Sequence, residues 1–537
     1  MTTVLTTSYR PADDSLPLVE LTIPALLAER AREYGDRTAL VGTRHGDGAE
    51  VTYTWAALHR EAQHVASAIA QVAAPGEHVA LWAPNVVEWP VIQHGAAMAG
   101  VVLVALNPVL RATELTYALR HSGARVLIHA DRSRDYDLAE VVARVATDFP
   151  DLRAISLSDR ASWRAEVVDQ AVVEAAPSDP SLPVMLQYTS GTTGNPKGVL
   201  LRHRSLVNVA KLTMEFVGVQ PGAVTVNPLP MFHTAACVIG TLGPLWLGGT
   251  EILVEQFAPG PVLALLRKEQ PDVLFNVPAV LGALLEAQRL SDEPPPRIAR
   301  VIGGAATLPA SMIEAVEQVF GAEVTNLFGQ TELSPVLTAT RGSDSREDQL
   351  GTVGHPLPQV DVKIVGADGS VVPLGEPGEI CARGYQQLME YLGDPGATAA
   401  CVDAEGFVHT GDQGSMDPRG YITLTGRLKD LIIRGGENIA PASIESCLVG
   451  HPLVLEATVI GLPDEALGEV VAAVIKVRGE EPADLGDQLR SYASEHLAPY
   501  KVPSRWFVAE ELPVTPTGKV QKFALAEQVG AGHVREV

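Results

Sequence analysis

Cysteine is scarce. The chain has four in 537 residues, Cys237, Cys381, Cys401 and Cys447, and no CxxC pair. That spacing suggests neither a disulfide framework nor a zinc site. Positive charge is also short, with 40 Lys+Arg against 64 Asp+Glu and a net charge of −24. The balance argues against nucleic acid or an anionic membrane as the main partner, but a local basic loop can still hold phosphates on an acidic protein. Long apolar runs are missing as well. Stretches such as 95–106 and 237–249 are too short or too broken by glycine to span a bilayer. Met1 is followed by polar residues rather than a basic and then apolar run, so no signal peptide is expected and a cytoplasmic chain fits.

What is present is a long chain of globular composition, 46% hydrophobic and 19% charged. Its length exceeds one ordinary core, so two or more domains are expected. The first twenty residues lack periodicity and read as a loose arm. Helical spacing marks 23–34 and 55–72, and short strands are expected at 38–41, 51–54, 78–82, 101–106 and 126–129. Strand-like runs at 225–227, 251–254, 273–275, 300–302 and 323–326 alternate with helices at 261–268 and 309–320, which points to parallel α/β layers. From 351 to 421 Gly/Pro turns and short alternating strands indicate a small, mostly β subdomain. A glycine-led charged segment, 426–430, suggests a hinge before a final α+β unit.

The stretch with most chemistry is 188–199, YTSGTTGNPKGV. Glycine lets backbone N–H groups approach an anion, Thr189, Ser190, Thr192 and Thr193 offer hydroxyl donors, and Lys197 adds a mobile positive charge. A surface linker is the alternative, although a linker does not need a lysine flanked by Pro and Gly. No Walker A motif is present, because Lys197 is followed by Gly198. Further on, LPMFHT carries Phe232 and His233, a pair that also suits a core. The small residues Gly303, Gly304, Ala305 and Ala306 follow a strand-like run and would let a flat ring approach the backbone; they equally suit a strand-to-helix turn. In FGQTE, residues 328–332, Phe328 offers a ring for adenine, Thr331 a phosphate donor and Glu332 a ligand for Mg2+, or merely a charge at a helix start. Asp412, in HTGDQG, can accept two hydrogen bonds from a ribose diol.

Together and in this order, these motifs resemble those of the adenylate-forming enzymes: acyl-CoA synthetases, nonribosomal-peptide adenylation domains and luciferases. LPMFHT and FGQTELSP most resemble the fatty-acyl and aryl-CoA ligases, and the similarity spans roughly 25 to 525. The resemblance implies an α/β fold, with a large N-terminal domain of layered α/β subdomains plus a small β-rich subdomain (1–426) and a mobile α+β C-terminal domain (427–537). It implies ATP, Mg2+ and CoA as cofactors and a small carboxylic acid as substrate. The nucleotide would be held by Thr189, Ser190, Gly191, Thr192, Thr193, Gly194, Lys197, Gly304, Ala305, Phe328, Gly329, Gln330, Thr331, Asp412, Arg427 and Asn438. Phe232, His233, Asn276, Gly303 and Gly329 would border the acyl group, with Ala235 and Val277 near them. Lys429 stands at the hinge position, Gly436 where pantetheine passes, and Lys519 where a mobile lysine meets carboxylate and phosphate oxygens. His233, Thr331, Glu332 and Lys519 would be the catalytic set.

Three positions depart from the family pattern: Phe328 replaces a tyrosine, Ser443 a glutamate and Glu390 a glycine. The last two leave the acceptor open between CoA, an amine and a carrier protein acting in trans; an unusual oxyanion in place of the carboxylate is a further alternative, and a homodimer is also open. A non-catalytic scaffold is disfavoured by the joint presence of Lys197, Glu332, Asp412, Arg427 and Lys519.

Overall fold

Runs that are buried along their whole length set the architecture. Every residue of Val102–Leu106, Val126–His129 and Val273–Asn276 is buried, as strands are when helices cover both faces of a parallel sheet. The computed structural model describes residues 4–537 apart from 190–195, 305–307, 435–436, 440, 465–467, 498 and 515–519, and for Lys429, Ile433, Glu437, Asn438 and Gly468 the backbone alone. Packing divides the chain into two units, residues 11–362 with 382–408, and residues 1–10 and 363–381 with 409–537.

The first unit holds two large sheets. One runs in the order Glu390–Tyr391, Lys197–Arg202, Pro183–Thr189, Val102–Leu106, His78–Trp82, Val126–His129, Arg153–Ser156. The other runs His355–Pro356, Thr338–Ala339, Glu323–Phe328, Arg300–Gly304, Val273–Asn276, Val224–Asn227, Thr250–Leu253, Thr38–Thr43, Glu50–Thr54. From Glu323–Phe328 to Thr38–Thr43 the neighbours in this second sheet are parallel. Helices between the strands start on caps legible in the sequence. Thr22 accepts the Ala25 N–H at 3.3 Å ahead of Ile23–Glu33, and Thr54 accepts the Ala57 N–H at 3.2 Å ahead of Trp55–Ile69. The latter helix stops before Val72, short of the turn at Pro75 and Gly76.

In the second unit, Val454–Asp464 and Gly468–Val477 form a long antiparallel pair, flanked on the Gly468–Val477 side by Ile432–Arg434 and Arg505–Val508. Successive strand residues face opposite ways. Val459 and Trp506 therefore join a core with Ile444, Leu448 and Leu489, while Ile460 and Phe507 join another with Leu525. A five-stranded sheet orders Tyr9–Arg10, Val360–Val365, Gly378–Gly384, Val408–Met416 and Ile422–Arg427.

The N-terminal residues correct the expectation of a loose arm. Ser8 is fully buried, its N–H donates to Val372 O at 3.2 Å, and its carbonyl accepts from Ile364 N at 2.9 Å. Backbone pairing needs no side-chain periodicity, so a short polar strand leaves no pattern in the sequence.

Candidate active site

The glycine-rich stretch joins two paired strands. Pro183–Thr189 and Lys197–Arg202 are antiparallel, with Thr189 opposite Lys197. Ser190, Gly191, Thr192, Thr193 and Gly194 lie outside the described residues, as do Ala305, Gly436 and Lys519. The base of the hairpin is tied down. Tyr188 Oη donates to Ala118 O at 3.0 Å and lies 3.0 Å from His121 Nδ1, and Tyr117 Oη donates to Pro196 O at 2.9 Å. A Cβ at Gly198 would stand 3.1 Å from the His121 ring, so glycine lets that histidine close on the strand.

Lys197 and Glu332 meet at a residue that the motif reading passed over. The strand Glu390–Tyr391 adds to Lys197–Arg202 with Tyr391 opposite Val199. Lys197 Nζ sits 4.7 Å from the Tyr391 ring centroid, within the range of a cation–π contact. The hydroxyl of that ring, Tyr391 Oη, donates to Glu332 Oε1 at 2.7 Å. Glu332 is 8% exposed, and its backbone carbonyl accepts from Leu388 N at 2.8 Å. Burial, then the adjacent Glu332 carboxylate, push the Tyr391 phenol well above its ordinary range, so it stays a donor. In the sequence Tyr391 is only the neighbour of Glu390; its place comes from register with a strand far away in the chain.

Three of the expected positions, Asn276, Gly304 and Phe328, lie with Asn227 at one edge of the nine-stranded sheet. Asn227, Asn276, Gly304 and Phe328 are the last residues of strands that neighbour one another in parallel, and the carboxyl ends of parallel strands are where α/β proteins bind ligands. Thr331 and Glu332 follow in the short helical turn Thr331–Leu333. Phe232 and His233 follow the strand Val224–Asn227, with ring centroids 4.3 Å apart. His233 Nε2 is buried without a hydrogen-bond partner among the described residues. Burial lowers the pKa of that imidazole to about 4, so it is neutral at neutral pH and offers shape and hydrogen bonding rather than charge.

Asn276 is 1% exposed, and among the described residues neither its Oδ1 nor its Nδ2 has a partner. A Cβ on Gly303 would collide with Asn276, one on Gly304 with the Leu327 carbonyl and one on Gly329 with the Pro335 carbonyl. The space beside these glycines is thus filled by the chain itself. Close approach of neighbouring backbone accounts for their small size without a ligand.

In the other unit the structure pairs two expected residues. Asp412 and Arg427 are opposite each other across Val408–Met416 and Ile422–Arg427, with Arg427 Nε 2.8 Å from Asp412 Oδ1. The arginine is 43% exposed and the carboxylate 7%, so the guanidinium orients a buried acid while remaining accessible. Thr410 Oγ1 accepts the Asp412 N–H at 3.1 Å. The Lys429 backbone lies in the helical turn Leu428–Asp430 and that of Asn438 in the strand Glu437–Ile439.

The chain belongs to the AMP-binding enzyme family, which it matches over residues 27–392, with the AMP-binding enzyme C-terminal domain over residues 443–519. It is 34% identical over 534 residues to the 3-[(3aS,4S,7aS)-7a-methyl-1,5-dioxo-octahydro-1H-inden-4-yl]propanoyl:CoA ligase of Rhodococcus jostii (strain RHA1), covering 94% of this chain and 98% of that protein. It is 33% identical over 544 residues to the acyl-CoA ligase sidI of Aspergillus fumigatus, covering 94% and 91%. Among solved structures, ATP-bound MatB from Rhodopseudomonas palustris superposes with a TM-score of 0.81 at 27% identity, over 95% of this chain and 99% of that one. The fold, a large N-terminal α/β domain and a smaller C-terminal domain, is that of the adenylate-forming enzymes. No helix among the described residues is long and apolar enough to cross a membrane.

Proposed function

We propose that this chain is an AMP-forming acid–CoA ligase. It joins a small carboxylic acid to ATP, giving an acyl-adenylate and pyrophosphate, then passes the acyl group to CoA, giving acyl-CoA and AMP. In the first half-reaction a carboxylate oxygen bonds to the α-phosphorus and the bond to pyrophosphate breaks. In the second, the CoA thiolate bonds to the acyl carbon and AMP leaves. The observation that carries this reading is the bridge through Tyr391, which holds a cation, Lys197, at its ring and an acid, Glu332, at its hydroxyl.

In this reading Lys197, with Thr189, Ser190, Gly191, Thr192, Thr193 and Gly194, neutralises the polyphosphate. Glu332 is fitted to Mg2+, because a carboxylate oriented by a phenol is a hard, fixed oxygen donor. When bound, the ion would spread the charge of the phosphates. Thr331 donates to a phosphate oxygen, Phe328 stacks on adenine beside Gly304, Ala305, Gly329 and Gln330, and Asp412 with Arg427 takes the ribose. Phe232, neutral His233, Asn276, Gly303 and Gly329 border the acid. Lys519 enters between carboxylate and α-phosphate and lowers their repulsion as the new bond forms. The C-terminal part, 427–537, turns about Lys429 between the half-reactions, bringing Asn438 to the nucleotide in one state and Gly436 to pantetheine in the other. The cytoplasm, where ATP and CoA meet, is the compartment this reading implies.

The test is pyrophosphate release from ATP across a panel of aliphatic and aromatic acids, with and without CoA. Turnover that needs both acid and CoA supports the ligase and identifies its acid. Adenylate that accumulates whether or not CoA is added moves the acceptor to an amine or carrier protein. Lys519→Ala is expected to abolish adenylation while sparing ATP binding; unchanged turnover would remove Lys519 from the mechanism.

A further inference from the structure

The sparse cysteines conceal a cluster that only the sheet assembles. Glu379 and Cys381 are alternate residues of the strand Gly378–Gly384 and project from one face. His409 lies on Val408–Met416, the next strand of the same sheet. One ligand atom from each lies within 4.8 Å of the other two. His409 Nδ1 stands 2.7 Å from Glu379 Oε2 and 3.5 Å from Cys381 Sγ. We propose that these three side chains form a binding site for a borderline-soft divalent cation of the Zn2+ type.

The geometry is close to that required. With bonds of about 2.0–2.1 Å to nitrogen and oxygen and about 2.3 Å to sulfur, a tetrahedral ion holds its ligand atoms about 3.3–3.6 Å apart. The nitrogen–sulfur spacing already falls there, and the nitrogen–oxygen spacing has to open by about 0.6 Å once no proton lies between the two atoms. Glu379 Oε1 accepts the Gly411 N–H at 2.9 Å, which orients the carboxylate and leaves Oε2 as the ligand oxygen. Cys381 is fully buried, whereas the His409 and Glu379 side chains are 30% and 19% exposed, so the ion enters on their side and keeps a fourth position toward water. On binding, the metal–sulfur bond forms as the Cys381 thiol releases its proton to solvent, and His409 ligates through Nδ1 as the tautomer protonated at Nε2. A thiolate and an imidazole select Zn2+ over Mg2+ or Ca2+, which prefer oxygen. The ion would clamp the strand segment 409–412, which carries Asp412.

The test is titration of the full chain, stripped with chelator, first with Co2+ as a spectroscopic probe and then with Zn2+. One equivalent of Co2+ is expected to produce a thiolate-to-metal charge-transfer band in the near ultraviolet, and Zn2+ to bleach it. Cys381→Ser is expected to abolish the band, and His409→Gln to weaken Co2+ binding by about tenfold or more. Circular dichroism of each variant separates ligand loss from unfolding. The proposal is overturned if the unmodified chain retains no ion, if Co2+ binds without the thiolate band, or if the band survives in folded Cys381→Ser.

Discussion

At Tyr391 one hydroxyl decides how an acid is held. Its 2.7 Å hydrogen bond to Glu332 is the described side-chain donor to that carboxylate, which is 8% exposed. A hydrogen bond to a charged group contributes about 1.5–3 kcal/mol, so Tyr391→Phe is expected to slow adenylate formation by about tenfold to a hundredfold. The ring and its contact with Lys197 remain, so ATP affinity is expected to change less than kcat. Pyrophosphate release at saturating ATP measures the effect; a rate within twofold of the unmodified enzyme would show that the bridge does not serve the chemistry. Asn276 gives the opposite kind of prediction. Both its amide atoms are buried and unpartnered among the described residues, and a group in that state costs about 1–3 kcal/mol. Asn276→Leu is therefore expected to raise the unfolding free energy by about 1 kcal/mol in urea titrations while shifting preference across the acid panel. A loss of stability would mean that the amide has a partner in solution.

At the scale of elements, the pairing of Arg300–Gly304 with Glu323–Phe328 leaves no room for a side chain at Gly304, because the Leu327 carbonyl occupies the place of its Cβ. Gly304→Ala has to push the two strands apart, at a cost of about 2–3 kcal/mol of unfolding free energy. Chemical denaturation measures it, and a change below about 0.5 kcal/mol would mean that the strand ends yield freely. The elements that were legible share a cause. Val126–His129 and His78–Trp82 are apolar runs buried nearly throughout, and Ile23–Glu33 has a period, a cap and a proline in its first turn; each carries its own signal. Phe328, Thr331, Glu332 and Asp412 stand out in the sequence because they sit in compact motifs. Tyr391 does not, since its two-residue strand gains meaning only from register with Lys197–Arg202. The Glu379–Cys381–His409 cluster is invisible for the same reason: no local spacing relates a strand residue to one across the sheet.

For the whole molecule, buried titratable groups predict how stability depends on pH. His94, His203 and His233 are each brought down by burial to about 4 from an ordinary 6.5. Their unfolded forms bind more protons between those values, so they make stability rise with pH across that window. Glu251 works the other way. It is 3% exposed, and burial raises its carboxyl from 4.5 to about 8, while Asn227 Nδ2 and Thr241 Oγ1 donate to Oε1 at 2.8 and 3.1 Å. Its contribution is full below pH 4.5 and is lost as pH rises through about 8. Each proton changes the slope by at most about 1.4 kcal/mol per pH unit. Among these most strongly shifted groups, three histidines against one acid give a net rise up to about pH 6.5, after which the Glu251 contribution dominates and stability falls toward pH 8. Unfolding free energies measured from pH 5 to 9 are thus expected to peak between about 6 and 7. Glu251→Gln keeps an oxygen for both donors and removes the ionisation, so it is expected to flatten the alkaline limb and leave the acid limb rising. An alkaline limb with the same slope in that variant would place the responsible proton on another group.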